Sequence, residues 1–523
     1  MRPINKGTTD LGRLTPVFCE RVLPSDDLKV SLEAQVRMAP LDAPIMEQLN
    51  CDFHAFFVPE RLLWEDFEEF ITTGANGNVQ PVKPTGRIIL DSSNVSSYLG
   101  PSSLVDYLDF PTYPSNTSIL PGSPDFTYDA TPFLAYQMIW QEYFRDENLQ
   151  EEIFQFPYPS GTISFGNAKI LSLRYRCWSK DYFTSALTSA QLGEDVGVPI
   201  AGGNAPVVLV NTVNTPRWQT QSGTTKAGDL QSSATGSTLI SPSSGESLNN
   251  VQFNPNGTLQ ANLAGASAVS VNNLRLAIAV QQWRERMITG GTRYKEQLYS
   301  MFGVISPDAR LQRPEYLGKL NMKLQIGEVF QTSQTTDSSP QGEMSGRSNT
   351  YGNGFLFKKY NFKEHGFVFI LMSIKPRATY QQGLPRKWQK FDWDDYAWPL
   401  LSNLGEQEVK NSELYFDFGP SGQVANDDTF GYQSRYSEYK FLNSTVHGDF
   451  KTSLSFWHLG RIFNSRPGLN EDFITVKPAD ANRIFPVYTG SDNFKDRFWY
   501  QILFDVRWNR PLPKFARPGG FTV

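Results

Sequence analysis

The chain has 523 residues, enough for two or three domains and for a large hydrophobic core. Its 48 basic and 53 acidic residues give a net charge of -5, which excludes a polycation whose main role is to neutralise nucleic acid. With 13% aromatic and 39% hydrophobic residues, the composition excludes an intrinsically disordered protein and is typical of a globular one.

The sequence shows no signal for export or for membrane insertion. The N-terminal stretch MRPINKGTTDLGRL lacks the apolar segment of a secretion signal, and no apolar run approaches the roughly 20 residues of a membrane-spanning helix. Cys19, Cys51 and Cys177 are too few and too widely spaced for a disulfide framework, so free thiols are expected. We therefore expect the protein to be made and assembled in the cytoplasm, without membrane insertion.

Six segments have hydrophobic patterns that predict β-strands. In four of them apolar and polar residues alternate, which predicts one apolar and one polar face. In the segment 49–57 this pattern places His54 on the polar face. These four are residues 28–38, 49–57, 171–177 and 320–326. Residues 367–374 and 498–508 are more uniformly apolar and predict strands buried on both faces. Because long connections separate the strands, a Greek-key or jelly-roll sandwich with enlarged loops is favoured over a meander.

Four helices are predicted within these connections. Residues 59–73 carry apolar side chains at helical spacing. Thr131 and Pro132 form an N-cap followed by proline at the first helical position, which starts a helix expected to run to about residue 148. Residues 272–288 and 292–301 predict two further helices, separated by a pair of glycines.

Residues 203–270 differ from the rest of the chain in composition. They contain few charged residues and are rich in Ser, Thr, Gly, Asn and Gln, and Trp218 and Phe253 are their aromatic residues. A flexible linker is one interpretation. An ordered protrusion is the other, because residues 206–213 and 259–271 have enough β-branched and aliphatic side chains for a strand pair. Residues 331–353 are predicted to be an extended surface or inter-subunit loop.

The segment 290–318 is polar and contains aromatic residues, but it lacks the His, Cys or paired carboxylates of a catalytic site. Such a segment is typical of surface that another molecule covers. We interpret its charged and aromatic residues as inter-subunit or loop-anchoring groups. They are Arg293, Tyr294, Arg310, Arg313, Glu315 and Tyr316.

The C-terminal tail mixes basic and aromatic residues, namely Arg507, Trp508, Arg510, Lys514 and Arg517. This mixture suits single-stranded nucleic acid, because bases stack on aromatic rings while cations neutralise phosphates. It equally suits an arm that docks on a neighbouring subunit, with arginines paired to carboxylates. The sequence leaves both interpretations open.

The sequence contains no constellation of residues that predicts catalysis. None of the four histidines lies in HExxH, and neither a GxSxG elbow nor a phosphate-binding loop is present. The acidic cluster of Asp392, Asp394 and Asp395 contains oxygen ligands of the kind that calcium prefers, but it lacks EF-hand spacing. We therefore predict a protein that is not an enzyme and requires no cofactor, with solvated carboxylates in these loops.

A set of motifs runs in order along nearly the whole chain. They include LTPVFCERVLPSDDLKV at 14–30, FFVPERLLWEDFEEFITTG at 56–74, LRYRCWSKDYFTSAL at 173–187, GGTRYKEQLYSMFGVISPDARLQRPEYLG at 290–318, TYQQGLPRKW at 379–388 and RPLPKFARPGGF at 510–521. This ordered set resembles the major capsid proteins of the microviruses, and the gokushovirus branch most closely. Residues 203–270 match least.

The resemblance implies a mainly β fold over residues 1–523, an eight-stranded antiparallel jelly roll with long loop insertions that contain short helices. It implies a major capsid protein that forms a T=1 icosahedral shell around a circular single-stranded DNA phage genome. The implied partners are further copies of the chain, a small basic DNA-binding capsid protein and a host cell-surface receptor. An insertion at the place of residues 203–270, with Trp218 and Phe253, would form a protrusion near the three-fold axes.

A carbohydrate-binding β-sandwich module of a cell-surface protein is the alternative from another functional class. The missing export signal and the missing disulfide framework argue against it.

Overall fold

A computed structural model describes the greater part of the chain. The described residues are 1–72, 83–88, 100–112, 126–163, 168–191, 271–290, 313–330, 344–403, 405–419, 422–485 and 496–512, with short strands between 207 and 261 and the single residues 81, 300, 303 and 332. The chain separates into two compact units, one of Met1–Ala190 with Gly291–Val523 and the other of Gln191–Gly290. The smaller unit contains the whole of the predicted insertion at 203–270.

Within the described residues, nine strands of the larger unit form two antiparallel sheets. In chain order these strands are β1 (Ile4–Thr9), β2 (Thr15–Val22), β3 (Asp27–Met38), β4 (Leu49–Pro59), β5 (Glu315–Leu324), β6 (Ile326–Phe330), β7 (Met344–Asn361), β8 (Gly366–Pro376) and β9 (Phe498–Asn509). The first sheet has the strand order β1-β9-β3-β7-β6, and the second has the order β5-β4-β8-β2.

The described helices are short, with two exceptions. They are α1 (Glu60–Leu63), α2 (Phe67–Thr72), α3 (Leu104–Tyr107), α4 (Thr131–Tyr143), α5 (Val271–Gly290), α6 (Asn411–Leu414), α7 (Gly422–Asp427) and α8 (Glu471–Ile474). Among the residues described, no helix has both the length and the apolar character needed to span a membrane.

Further short elements occupy the connections. The larger unit has strands at Thr85–Ile88, Phe126–Asp129, Thr162–Ile163, Thr379–Tyr380, Glu406–Lys410, Thr429–Ser434 and Ser444–Thr445. Its 3-10 helices are Ala168–Ile170, Arg386–Trp388, Trp393–Asp395, Pro399–Asn403, Ser437–Tyr439, Gly448–Lys451, Ser455–Trp457 and Pro478–Ile484. The smaller unit has strands at Val207–Leu209, Arg217–Thr220, Thr225–Lys226, Gln231–Ser232, Leu239–Ile240, Ser247–Leu248, Val251–Asn254 and Leu259–Ala261.

The inner faces of the two sheets contribute to one hydrophobic core, as in a β-sandwich. In β3 and β9 every second residue is buried along most of the strand, and the register pairs Leu32 with Phe504. From the second sheet, Phe53 of β4 and Ile370 of β8 belong to the same core. The period of two in these sequences therefore reflects apolar side chains that point between the sheets.

A second hydrophobic core lies on the outer face of the second sheet. Phe56 of β4 and Phe369 of β8 pack there with α4, which contributes Phe133 and Tyr136. The Tyr136 hydroxyl donates a hydrogen bond to the Leu14 carbonyl (2.8 Å), just ahead of β2. Because α4 covers this face, β4 and β8 are buried on both sides over most of their length.

All predicted strands but one are present, as β3, β4, β5, β8 and β9. The prediction of a strand at 171–177 is wrong, because Tyr175 and Cys177 each form only an isolated β-bridge. The segment is held by single contacts on two sides instead of a continuous ladder. The Arg176 N–H donates to the Gly12 carbonyl (2.8 Å), and the Val476 N–H donates to the Arg176 carbonyl (2.9 Å).

The faces of two strands differ from what the sequence suggests. Residues 498–508 were expected to be buried on both faces, but β9 alternates and exposes Gln501 and Arg507. Residues 49–57 were expected to have one apolar and one polar face; Asp52 and His54 do share one face of β4, but both are buried. Helix α4 accounts for the second difference, because a strand's own sequence does not reveal what packs over it.

The predicted helices agree with the structure in part. The helix at 59–73 is interrupted at Trp64, whose backbone is extended and bridges to Tyr158. The helix that begins at Thr131 ends at Tyr143, earlier than predicted. The helix at 272–288 is confirmed as α5, whereas most of 292–301 lies outside the described residues.

Three other sequence features can be compared with the structure. The strand pair proposed within 203–270 is present, because Val207–Leu209 pairs with Leu259–Ala261. The second part of the predicted loop at 331–353 is instead strand, since β7 begins at Met344. Cys19, Cys51 and Cys177 are free thiols.

The core of the sandwich can be tested at Phe504. Phe504→Ala should lower the free energy of unfolding by about 3–5 kcal/mol, because it removes a buried aromatic ring and leaves a cavity. Gln501→Ala, on the exposed face of the same strand, should change it by less than about 0.5 kcal/mol. Urea denaturation of purified, unassembled subunits measures both values. Equal losses for the two variants would contradict the assignment of the inner face of β9.

Candidate functional site

Large apolar side chains in the segments 388–400 and 439–442 are exposed to solvent. They are Trp388, Phe391, Trp393, Tyr396, Trp398, Leu400, Tyr439 and Leu442, and we name this set the aromatic surface. Phe391 is 84% exposed and Leu442 is 97% exposed. Large exposed apolar groups close together mark contact with another macromolecule, because a lone globular protein gains nothing by displaying them to water.

Buried polar contacts hold the backbone beneath the aromatic surface. The Lys390 Nζ lies 2.5 Å from Glu438 Oε1, and it also donates to the Asp395 carbonyl (2.6 Å). Gln407 Nε2 donates to the other oxygen of Glu438 (2.8 Å). Both charged side chains of the pair are largely buried. These contacts join the segment of residues 390–395 to the segment around Glu438 and fix the position of the exposed rings.

The Glu438 carboxyl of this pair is ionised at neutral pH. Burial alone would raise the pKa of the Glu438 carboxyl, but the hydrogen bonds from Lys390 and Gln407 outweigh it and hold that pKa below its usual value. A carboxyl with a lowered pKa stabilises the fold above its ordinary pKa, and this contribution is lost as the pH falls through the lowered value. The pair therefore stabilises the fold at neutral pH and less so in acid.

The acidic cluster at residues 392–395 has a structural role. The Asp395 carboxylate accepts hydrogen bonds from the backbone N–H groups of Asp392 and Phe391 (both 2.9 Å), and these lower the pKa of Asp395. Such bonds satisfy backbone donors at the start of a short helix. Within the described part of the chain, no group of His, Cys, Asp and Glu side chains is arranged to hold a metal ion.

A cavity of about 360 Å³ opens beside the aromatic surface, and Trp388 and Leu442 form part of its wall. Phe183 also lines it, together with Glu413, which accepts a hydrogen bond from the Tyr182 hydroxyl (2.8 Å). Protruding rings beside an apolar cavity allow one subunit to insert side chains into another. This is the geometry that a repeated contact between copies needs.

A second feature lies on the outer face of β5, β4 and β8, which is polar along part of its length. Three cross-strand rows make up this part: Lys319 with His54, Asn321 with Asp52 and Ser373, and Lys323 with Asn50 and Lys375. Alternate residues of a strand point to the same side of the sheet, so these side chains share one face. Arg176 reaches the same face from the segment 171–177, and donates to the Ser373 hydroxyl (3.0 Å).

We name this region the cationic face. It consists of four cations with Asp52 between them, namely Arg176, Lys319, Lys323 and Lys375. Asp52 lies 3.0 Å from Lys319 Nζ and 3.5 Å from Arg176 Nη1, and it accepts a hydrogen bond from Asn321 (2.5 Å). Burial acts to raise the pKa of Asp52, but the hydrogen bonds from Asn321 and Lys319 outweigh it and lower the pKa. The carboxylate is therefore charged at neutral pH.

Positive charge on the cationic face exceeds what Asp52 neutralises. Among the described residues, neither Lys323 nor Lys375 has an ion pair or hydrogen bond to its ammonium group. Burial, together with the charge of Arg176, lowers the pKa of Lys375 to about 8, so this lysine remains mainly protonated at neutral pH. The same two causes lower the pKa of His54 to about 3, so its imidazole is neutral.

Aromatic residues border the cationic face at the start of β5. Tyr316 is 44% exposed, and its ring packs against Phe56 (centroid distance 5.4 Å) and Tyr143 (6.3 Å). The Arg313 guanidinium lies over the Tyr143 ring, 4.4 Å from its centroid. The structure thus brings Arg313 and Tyr316, both singled out in the sequence, next to residues that the sequence did not indicate.

The described part of the C-terminal tail packs against its own chain. The Arg510 guanidinium lies 3.5 Å from the centroid of the Trp508 ring. It also pairs with Asp26 (3.4 Å) and donates to the Arg21 carbonyl (2.7 Å). Arg507 lies opposite Lys29 in the first sheet. Lys514 and Arg517 lie outside the described residues.

The structure describes the remaining predicted site residues only in part. Glu315 accepts a hydrogen bond from the Tyr360 hydroxyl. The backbones of Trp218 and Phe253 are paired in the smaller unit, but their side chains lie outside what the structure describes. Arg293, Tyr294 and Arg310 lie outside the described residues.

Sequence reasoning missed the residues of both features. The sequence did contain an indication of the aromatic surface, because residues 388–398 include five aromatic residues among charged ones, without the spacing of a strand or a helix. It contained a weaker indication of Lys319 and Lys323, which are cations on the polar side of a predicted alternating strand. Arg176 occupies the same kind of position in the predicted strand 171–177, whereas Lys375 gave no indication, because only the fold places it beside the other cations.

The chain is similar to known capsid proteins over nearly its whole length. The sequence profile of the family described as "Capsid protein (F protein)" matches residues 3–520. The chain is 35% identical to capsid protein VP1 of Bdellovibrio phage phiMH2K, over 99% of this chain and 94% of that protein. It is 34% identical to capsid protein VP1 of Chlamydia phage 1 (98% and 94%) and 30% identical to that of Spiroplasma virus 4 (98% and 92%).

The ion pair beneath the aromatic surface can be tested by substitution. Lys390→Met should lower the free energy of unfolding by about 3 kcal/mol at neutral pH, because the Glu438 carboxylate would stay buried without its partner. Lys387→Met, at an exposed neighbour, should cost less than about 0.5 kcal/mol. Denaturant unfolding measures both. The difference in free energy of unfolding between Lys390→Met and the unsubstituted protein should become smaller in acid. A difference that does not change with pH would contradict the stabilising role of the Glu438 carboxylate.

Proposed function

The chain belongs to the phage capsid protein (F protein) family, as a gokushovirus-like microvirus capsid protein, and we propose that its copies form a T=1 icosahedral shell around a circular single-stranded DNA genome. A capsid protein is a structural component of the virion and not an enzyme. The observation that carries the proposal is the match over residues 3–520, which leaves almost no part of the chain for another role.

The aromatic surface supports self-assembly on physical grounds. Its rings are held in place by the Lys390–Glu438 pair before any partner arrives, so little side-chain and loop entropy remains to be lost on contact. Contacts between one patch and a different patch of the next copy close into a finite particle when the rotation between copies allows it. Each contact is repeated in every subunit, so a weak single contact is sufficient for a stable shell.

We further propose that the two sheets, which contain nine strands within the described residues, are built on an eight-stranded jelly roll. In the first sheet β9 lies between β1 and β3, and in the second sheet β4 lies between β5 and β8. Strands that are neighbours in space but distant in sequence support Greek-key connections of this kind.

The outer surface and the further partners follow from family membership as parts of the same proposal. Residues 203–270 would form the protrusion near the three-fold axes and contribute, with other loops, to attachment to a host receptor. A small basic protein would neutralise the DNA, because this chain has a net charge of -5 and does not supply that charge itself. Assembly would take place in the cytoplasm of the bacterial host. A carbohydrate-binding cell-surface module, the alternative from the sequence, finds no support in the three capsid relatives.

The assembly role of the aromatic surface can be tested at two exposed rings. Phe391→Ser with Trp393→Ser should abolish particles while leaving the subunit folded, because both side chains are exposed in the single chain. Phe391→Leu with Trp393→Phe should retain assembly, since apolar bulk is kept. Electron microscopy and sedimentation of material produced with the phage's other assembly proteins give the result. Normal particles from the serine variant would contradict the proposed contact, and no particles from the unsubstituted chain would contradict the shell.

The proposed protrusion can be tested by deletion. Removing residues 210–265 should leave particle formation largely intact and reduce adsorption to host cells. Particle yield and the fraction of virions bound to host cells are the two measurements. Loss of subunit folding would show instead that these residues belong to the core.

A further inference from the structure

We propose that the cationic face, with Tyr316 at its border, binds single-stranded nucleic acid: its lysines contact phosphates and Tyr316 stacks on a base. The inference rests on the proposed function, because it identifies which part of the subunit meets the enclosed DNA. It differs from the interpretation of the C-terminal tail, whose described residues Trp508 and Arg510 are engaged with their own chain.

The distribution of charge suits a polyanion. Lys319 and Lys323 lie four residues apart on one side of β5, which corresponds to roughly 13 Å along the strand. Lys323 and Lys375 flank Asn50 in the same cross-strand row, about 10 Å apart across two strand spacings. Cations spread over such distances match the successive phosphates of a nucleic acid better than they match one small anion.

The local charge balance also indicates a missing anion. Asp52 forms ion pairs with Lys319 and Arg176 and is the only carboxylate to do so among the described residues of this face. Lys375 is partly buried and its ammonium forms no ion pair among the described residues; Asp52 attracts it only from beyond ion-pair distance, so an added anion would stabilise the charged lysine further. His54 is neutral and adds no charge of its own.

Tyr316 supplies a stacking surface for a base, which a site for single-stranded nucleic acid needs in addition to cations. A partly exposed ring that is fixed by Phe56 and Tyr143 offers a base a flat surface without first having to be ordered. The neighbouring Arg313 lies over the Tyr143 ring, so it adds positive charge at this border.

A second protein subunit is the less favoured occupant. The centre of a protein–protein contact is usually apolar and poor in lysine. The exposed side chains of the described rows are instead Lys319, Asn321 and Lys323. This polar composition contrasts with the aromatic surface and fits a hydrated contact with phosphates.

Binding of labelled oligothymidylate to full-length, unassembled subunits, followed by fluorescence anisotropy at several salt concentrations, tests the proposal. Lys323→Ala with Lys375→Ala should weaken binding about tenfold at low salt and reduce the slope of log affinity against log salt by about 1.4, or ~0.7 for each lost phosphate contact. The matched control is Lys169→Ala with Lys358→Ala, two exposed lysines elsewhere that change the net charge equally. The control should leave the salt slope nearly unchanged.

Tyr316 provides an independent readout of stacking. Tyr316→Ala should weaken binding roughly fivefold or more, whereas Tyr316→Phe should bind like the unsubstituted chain because it keeps the ring. Equal weakening by the two double-lysine variants would overturn the proposal, since net charge alone would then explain it. Unchanged DNA affinity with lost particle formation would assign the face to a subunit contact instead. Unsubstituted subunits that bind oligothymidylate but form no particles would contradict the proposed shell and leave the binding site supported.

Discussion

The structure depends on one constraint, that β4 and β8 bury both of their faces. The inner faces are covered by the first sheet, and Phe56, Phe369 and their neighbours on the outer face are covered by α4. A sheet of this kind is stable only if something packs on each side, because exposed apolar strands would aggregate. Where the outer face carries Asp52 and the lysines instead of phenylalanines, it forms the cationic face, with Asp52 buried and with Lys319 and Lys323 of β5 exposed.

The two candidate functional features differ in their physical chemistry. The aromatic surface consists of apolar rings above a buried ion pair, Lys390–Glu438, which suits dry contact with another copy of the chain. The cationic face carries excess positive charge beside one exposed ring, Tyr316, and suits a hydrated polyanion. A capsid subunit has to meet both its neighbours and its contents, and separate surfaces let each contact be optimised without weakening the other.

Sequence patterns predicted the strands of the core but not what lies over them. The alternation of apolar and polar residues was sufficient to predict β3 and its buried face, because one face of this strand lies in the core and the other does not. In β4 the same period concealed a buried His54, because the covering helix comes from residues 131–143 and the neighbouring Arg176 from farther along the chain. The cationic face could not be predicted for the same reason, since Arg176 and Ser373, which share a hydrogen bond, are 197 positions apart. Arg313 and Tyr316 could be singled out from the sequence because they lie close together in it.

The place of β9 in the first sheet has a consequence for synthesis. Residues 498–509 pair with β1 on one side and with β3 on the other, so the first sheet is continuous only after residue 509 has been translated. Such a long-range closure makes folding slow and leaves strand edges open on the ribosome. A chain that stopped short of β9 would leave β1 without its partner strand in the first sheet and would expose one edge of β3 to pairing with another chain.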